Sequence, residues 1–271
     1  MPGCHSKVSL RPGGQSFSFD PFLSFLYLFF RKFPRDSLFF SPKMDSNMNP
    51  IEVEKKMIGK NNAPLLWMLA IPLLSNIYVW LNHSGYQVHS LVTPLDERTP
   101  FLPVFAIPYL LWYPFLAVTL VAIFRQSYLA YVRTLLAICM GLLACYAVYF
   151  LFQTTVPRPD ITSDGLLHRL AALVYRSDQP YNCFPSIHVM TSCLMIKGSI
   201  VLRPRFRMAV LTTAVCIIAS TLFIKQHVIA DVAAGILFAE VMFRLAAWLL
   251  AGPRSRMLPD SLRKLRYTDH E

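Results

Sequence analysis

The sequence predicts an all-α membrane protein, a polytopic bundle of about six transmembrane helices, on three observations. Of 271 residues 55% are hydrophobic and only 15% charged, and the mean hydropathy of +0.44 lies above that of a water-soluble chain of ordinary charge content. The apolar residues gather in long runs rather than recurring with a helical or strand period, as bilayer-spanning segments do. The basic residues, which give a formal net charge of +11, sit mainly at the ends of those runs. Membrane topology accounts for such a distribution better than a nucleic-acid partner does, so no nucleic acid is expected.

Residues 1–63 read as a mixed N-terminal extension, partly disordered or interfacial. Its aromatic stretch 21–30 is too short to cross a bilayer. With Arg31 and Lys32 beside it, the stretch is an interfacial helix or a signal-like segment lacking a small-residue cleavage site. Met44 and Met48 are alternative translation starts. Residues 64–251 form the membrane domain, with spans expected at 65–81, 101–124, 129–152, 187–202, 208–224 and 229–250. All are helices, because an open sheet in lipid leaves backbone groups unpaired. Residues 252–271 form a basic cytoplasmic tail suited to anionic lipid. Cys139, Cys145, Cys193 and Cys216 lie inside the apolar runs without zinc or disulfide spacing and read as packing residues.

Orientation follows from the short connections. Lys55, Lys56 and Lys60, then Arg125, then Arg203, Arg205 and Arg207, then the tail arginines all fall on one side of a six-span topology, which the positive-inside rule makes cytoplasmic. The outer side receives 82–100, 153–186 and 225–228, and three short segments there carry the polar residues of interest. These are Val156-Pro157-Arg158-Pro159, Phe184-Pro185-Ser186-Ile187-His188, and Ser220 through Lys225-Gln226-His227 to Asp231.

His227 and Asp231 are four positions apart and share a face, about 5–6 Å apart at Cβ, if the sixth helix begins there. The carboxylate would then accept one imidazole proton and leave the other nitrogen free as a nucleophile. An aspartate at the edge of an apolar helix asks for such a partner, although a solvated pair favoured by the helix dipole is the plainer alternative. His188, after a Pro-Ser turn, is placed to act as a general acid or is simply an interfacial histidine. Ser186 reads as the cap of that helix, with or without a contact to substrate. Arg158, held extended between two prolines, can present a guanidinium fork to phosphate, with Lys225 a point charge beside His227. Lipid headgroups are the alternative partners of both, and Arg169 and Arg176 fit that alternative better.

These segments together resemble the type 2 phosphatidic acid phosphatase (PAP2) superfamily, whose site is similar to that of vanadium haloperoxidases. Its pattern is Lys-x6-Arg-Pro, Pro-Ser-Gly-His and Ser-Arg-x5-His-x3-Asp. Arg158-Pro159, Pro185-Ser186-Ile187-His188, and Ser220 with His227 and Asp231 match its parts in order. The resemblance implies that His227 forms a phosphohistidine, that Asp231 orients it and that His188 protonates the leaving group. Arg158, Lys225 and Ser186 would hold the phosphoryl oxygens, with no metal or other cofactor. Three positions depart from the pattern: Leu151 stands where the lysine falls, Ile187 for glycine and Thr221 for arginine. The Lys225-Gln226-His227 wording and the 96–114 stretch look like the branch that includes inositol phosphorylceramide and sphingomyelin synthases.

The implied activity is hydrolysis of a lipid phosphate or diphosphate, with membrane lipids as the partners and the active site on the outer face of the plasma membrane. Two alternatives stand beside it: transfer of a phospho-headgroup to another lipid hydroxyl, and a non-catalytic lipid-binding membrane protein.

Overall fold

In the computed structural model, residues 62–83 and 87–251 are described, all within the compact unit Ser46–Glu271. The expectations for the 21–30 stretch and for the tail from Gly252 lie outside the described residues. The apolar runs become helices. A 3-10 segment, Ala63–Leu69, leads into α1 (Ala70–Leu81). The connection that follows carries β1 (His89–Ser90) and α2 (Pro94–Arg98). Pro103–Phe105, α3 (Ala106–Leu110) and α4 (Trp112–Gln126) make the second span, interrupted where Pro108 and Pro114 remove amide donors. Ser127 caps α5 (Tyr128–Leu151) through a bond from the Ala130 amide, 3.2 Å. After β2 (Thr154–Thr155) come α6 (Leu166–Ser177), α7 (Ile187–Gly198), α8 (Pro204–Phe223) and α9 (Ile229–Leu250).

Among the described residues five helical segments are long and apolar enough to cross a membrane, and Ile187–Val201 is a shorter apolar sixth. The fifth span starts at Pro204 rather than at 208. Arg205 and Arg207 depress the hydropathy of its first turn, but a proline at the first helical position is well placed to begin a helix. The sequence reading did not anticipate α6, which is amphipathic. Ala171 and Val174 are buried against Ala106, Tyr109 and Ile224, with Leu170 and Tyr175 packed beside them.

The short α7 is the centre of the bundle, packed against α5, α8, α9 and α4. Its contact with α9 is close because α9 turns Asp231, Gly235, Ala239 and Ala246 inward, while Leu237, Val241 and Trp248 face outward. Small inward residues let helix backbones approach in lipid, where packing drives association. A Cβ on Gly235 would lie 2.8 Å from the Ser186 carbonyl oxygen and 2.9 Å from Val189 Cβ. The α5–α7 register is set by Gly141 against Met190 and by Gly198 against Thr134. From the first level α5 runs ten residues further outward, to Leu151, whereas α7 runs back only three, to Ile187. In the other half of the bundle Lys197 and Arg244 pair with Glu240, and the Arg133 guanidinium stacks 3.8 Å from the centre of the Phe243 ring.

The connections 82–100, 153–186 and 225–228 are bonded together. The parallel β1–β2 pair sets His89 against Thr154 and Ser90 against Thr155, and Thr155 bridges Tyr181. The Ile229 amide donates to Asp96 Oδ1 at 2.8 Å, which ties α2 to the start of α9.

Candidate active site

The site begins where α8 fails to continue. Ile224 ends the helix and Lys225 takes a left-handed conformation, φ 54°, a backbone state usual at a helix C-terminus but costly for a residue with a Cβ. The amides of Gln226 and His227 then both donate to the Thr221 carbonyl at 3.0 Å. That turn places His227 ahead of α9, whose first residue is Ile229. His227 and Asp231 therefore do not stack on one helical face as the spacing suggested. Asp231 is the third residue of α9 and folds back: its Oδ2 accepts the Val228 amide at 2.9 Å and faces His227 Nδ1 at 3.3 Å. The pair is made by capping geometry. Asp231 is 0% exposed, and its Oδ1 has no hydrogen-bond partner.

His188 is the second residue of α7 and its ring centre lies 5.9 Å from that of His227. Tyr109 and Trp112 hold it from α3 and α4, with ring centres at 4.4 and 4.2 Å. Each of these aromatics is fixed in turn. The Tyr109 hydroxyl donates to Asp178 Oδ2 at 2.7 Å, and the Trp112 indole donates to Thr191 Oγ1 at 2.8 Å. Tyr78 and Asn82 donate to the other oxygen of Asp178. The His188 Nδ1 is buried without a partner. Ser186 caps α7, accepting the Val189 amide at 3.4 Å, and its own amide donates to the Asp231 carbonyl at 3.2 Å. The starts of α7 and α9 are thereby joined.

Arg158 is oriented by groups that sequence reasoning did not identify. Its guanidinium lies 4.6 Å from the Tyr175 ring centre, donates to the Tyr175 carbonyl at 3.3 Å and bonds the Gln226 side-chain oxygen. Its Nε has no hydrogen-bond partner. Lys225 Nζ donates to the Asp96 carbonyl at 2.7 Å. A cavity of about 280 Å3 is lined by His227, Arg158 and Lys225 together with Asp96, Glu97 and Phe101. Burial pushes the Asp96 carboxyl up, but the Thr93 hydroxyl, the Ile229 and Thr93 amides and the Lys225 ammonium hold it below the ordinary carboxylate value.

His227, Arg158 and Lys225 thus share one cavity and Asp231 stands behind His227, whereas His188 does not line the cavity and is buried with its ring centre 5.9 Å from that of His227. Ser186 is buried as a cap and is not among the residues lining that cavity. At the three departures, Leu151 is 81% exposed at the end of α5, Ile187 opens α7, and Thr221 supports the His227 turn through its carbonyl. Cys183, His227 and Asp231, all buried, bring potential metal-ligand atoms within 4.8 Å of one another. Burial pushes the Cys183 thiol up, so a metal there would have to displace a tightly held proton.

Among known proteins, the PAP2 superfamily model matches residues 130–254, the stretch that holds Arg158, Ser186, His188, Lys225, His227 and Asp231. No curated protein and no solved structure matches the chain.

Proposed function

From the match of residues 130–254 to the PAP2 superfamily, which supports phosphatase-type phosphoryl transfer in general, we propose that the chain is a membrane lipid phosphatase hydrolysing a lipid phosphate or diphosphate through a phosphohistidine. One observation carries the reading: His227 has Nδ1 turned to Asp231 at 3.3 Å and lines a cavity with Arg158 and Lys225. With the proton on Nδ1 held by the carboxylate, Nε2 keeps its lone pair for attack. The new P–N bond forms as the P–O bond to the lipid breaks, and His188 donates a proton to the departing oxygen. Water then attacks phosphorus, returns a proton to His188 and restores His227. Arg158 and Lys225 neutralise charge on the phosphoryl oxygens, and Ser186 assists by fixing the turn that carries His188. By the positive-inside rule the site is proposed to face away from the cytoplasm, and the plasma membrane is the proposed location.

Phosphate release from a panel of lipid phosphates by detergent-purified protein with chelator present, run beside His227→Ala, tests the proposal. Release by the parent alone supports it. Turnover by His227→Ala within a few-fold of the parent would remove His227 as nucleophile. A second reading, headgroup transfer to another lipid hydroxyl, is favoured by Lys225 standing two residues before His227 where the usual arginine is Thr221. It predicts product only when a lipid alcohol is added. Binding of lipid phosphate that survives His227→Ala, with no turnover in the parent, would identify a non-catalytic binder. Labelling of a cysteine placed at the exposed Ser163 from the cytoplasmic side alone would reverse the orientation.

A further inference from the structure

Asp96 is a buried carboxylate in the first outer connection, outside the stretch matched by the family, and every polar group it meets belongs to one construction. Its Oδ2 accepts the Thr93 amide at 2.9 Å and the Thr93 hydroxyl, closing a capping box on α2. Oδ1 reaches across 133 residues of chain to accept the Ile229 amide at 2.8 Å. Ile229 is the first residue of α9, so this amide lacks a partner within its own helix. The preceding amide, of Val228, is taken by Asp231 Oδ2, the same oxygen that faces His227. The Asp96 carbonyl accepts Lys225 Nζ at 2.7 Å. Two carboxylates, one from α9 itself and one from α2, therefore hold successive amides immediately after His227. The residue that supplies the second also fixes the lysine two positions before it.

We propose that Asp96 is a positioning residue for phosphoryl transfer: it caps the catalytic helix from outside and holds His227 and Lys225 in one geometry against the cavity. Both of its oxygens are committed to donors in this frame, so it acts through the His227 turn. Releasing the Ile229 amide would leave the 225–229 turn held by the Thr221 and Leu222 carbonyls on the α8 side and by Asp231 at the Val228 amide, with no restraint from α2 at the start of α9. A misplacement of about 1 Å at the reacting atom can cost about 10²-fold in rate. The inference rests on His227 as nucleophile, and its test is built to fail separately from that assignment.

The variant is Asp96→Asn in the full chain, which keeps volume but sets an NH2 against donors that an oxygen accepts. Thr93→Val removes the hydroxyl that steadies Asp96, and Leu95→Ala, at an exposed neighbour, serves as control. We expect Asp96→Asn to lower kcat about tenfold or more with KM within about threefold. Hydrogen–deuterium exchange in the peptide spanning 225–232 should accelerate, and Thr93→Val should act in the same direction without adding fully to Asp96→Asn. Leu95→Ala should match the parent. An unchanged kcat per folded molecule would overturn the proposal, as would a raised KM at constant kcat, which would make Asp96 a substrate contact. Should the parent turn over no lipid phosphate, the functional reading fails, yet exchange still decides: acceleration in Asp96→Asn supports the strap and unchanged exchange refutes it.

Discussion

Substituting Gly235 with alanine sets two known magnitudes against each other. Alanine is favoured over glycine in a helix interior by about 1 kcal/mol, so on propensity alone Gly235→Ala should stabilise α9. The new methyl would lie 2.8 Å from the Ser186 carbonyl oxygen and 2.9 Å from Val189 Cβ. Carbon contacts settle at about 3.5–4.0 Å, so α7 and α9 must part locally by roughly 0.6–1 Å. Neither obstacle is the mobile end of a long side chain, and overpacking of this kind costs about 1–3 kcal/mol. The net change is a loss of about 0–2 kcal/mol, or a few degrees in melting temperature. Activity should fall much further. The Ser186 amide bond to the Asp231 carbonyl, 3.2 Å, lies along the same seam; the same displacement carries it past hydrogen-bonding range, and Asp231 moves relative to His188. A loss of about 10- to 100-fold in kcat is expected, measured beside thermal unfolding in the same detergent. Gly141→Ala is the comparison, because it meets the flexible sulfur and methyl end of Met190 and should cost less in rate. Gly235→Ala with kcat within twofold of the parent would refute this account of the seam.

Other perturbations separate charge from geometry. Arg158→Lys keeps the cation but loses the Gln226 and Tyr175 contacts that orient the fork, so kcat/KM should drop by about 2–3 kcal/mol, or 30- to 150-fold; an unchanged value would dismiss the bidentate role. Lys225→Gly relaxes a left-handed residue worth about 1–2 kcal/mol while deleting a cation from the cavity, so the melting temperature should rise as activity falls at least about tenfold. A parallel rise in both would count against Lys225 as a phosphate ligand. Acid should act through Asp96, whose folded carboxyl titrates below its unfolded value of about 3.9. Its stabilising contribution is complete above that unfolded value and fades as pH falls through the lower folded one. Unfolding followed from pH 6 down to about pH 3 should therefore show a decline in the parent that is shallower in Asp96→Asn.

The membrane architecture was legible because long apolar runs survive any averaging window, and the shorter fourth span was visible as such. Helix α6 was not, since His168, Arg169 and Arg176 cancel its leucines in a hydropathy average; the inward spacing of Leu170, Ala171 and Val174 was the available signal. His227, Asp231, His188 and Arg158 were readable because their motifs are local, and the structure brings them together. The spacing of His227 and Asp231 was read as a helical face, whereas a turn and a capping carboxylate produce the contact. Asp96, Tyr109, Trp112, Asp178 and Gln226 could not be assigned from sequence, because what orients the side chains of the candidate site is delivered by packing between distant segments. The Asp96–Ile229 bond spans 133 residues, and no local pattern encodes it.

The unequal outward reach of α5 and α7 carries one more implication. Past the level where Gly141 meets Met190, α5 gains about 15 Å and α7 about 5 Å, which leaves the mouth of α7, with His188, recessed roughly 10 Å below the tip of α5. With the tip of α5 at the headgroup surface, a recess of this depth would let the lipid proposed as substrate be engaged without lifting its chains out of the bilayer. Encounter then becomes a two-dimensional search in the leaflet. Dilution with inert lipid or detergent at constant bulk substrate should slow turnover in proportion to surface mole fraction, and a water-soluble ester bearing the same phosphate should be a poor substitute.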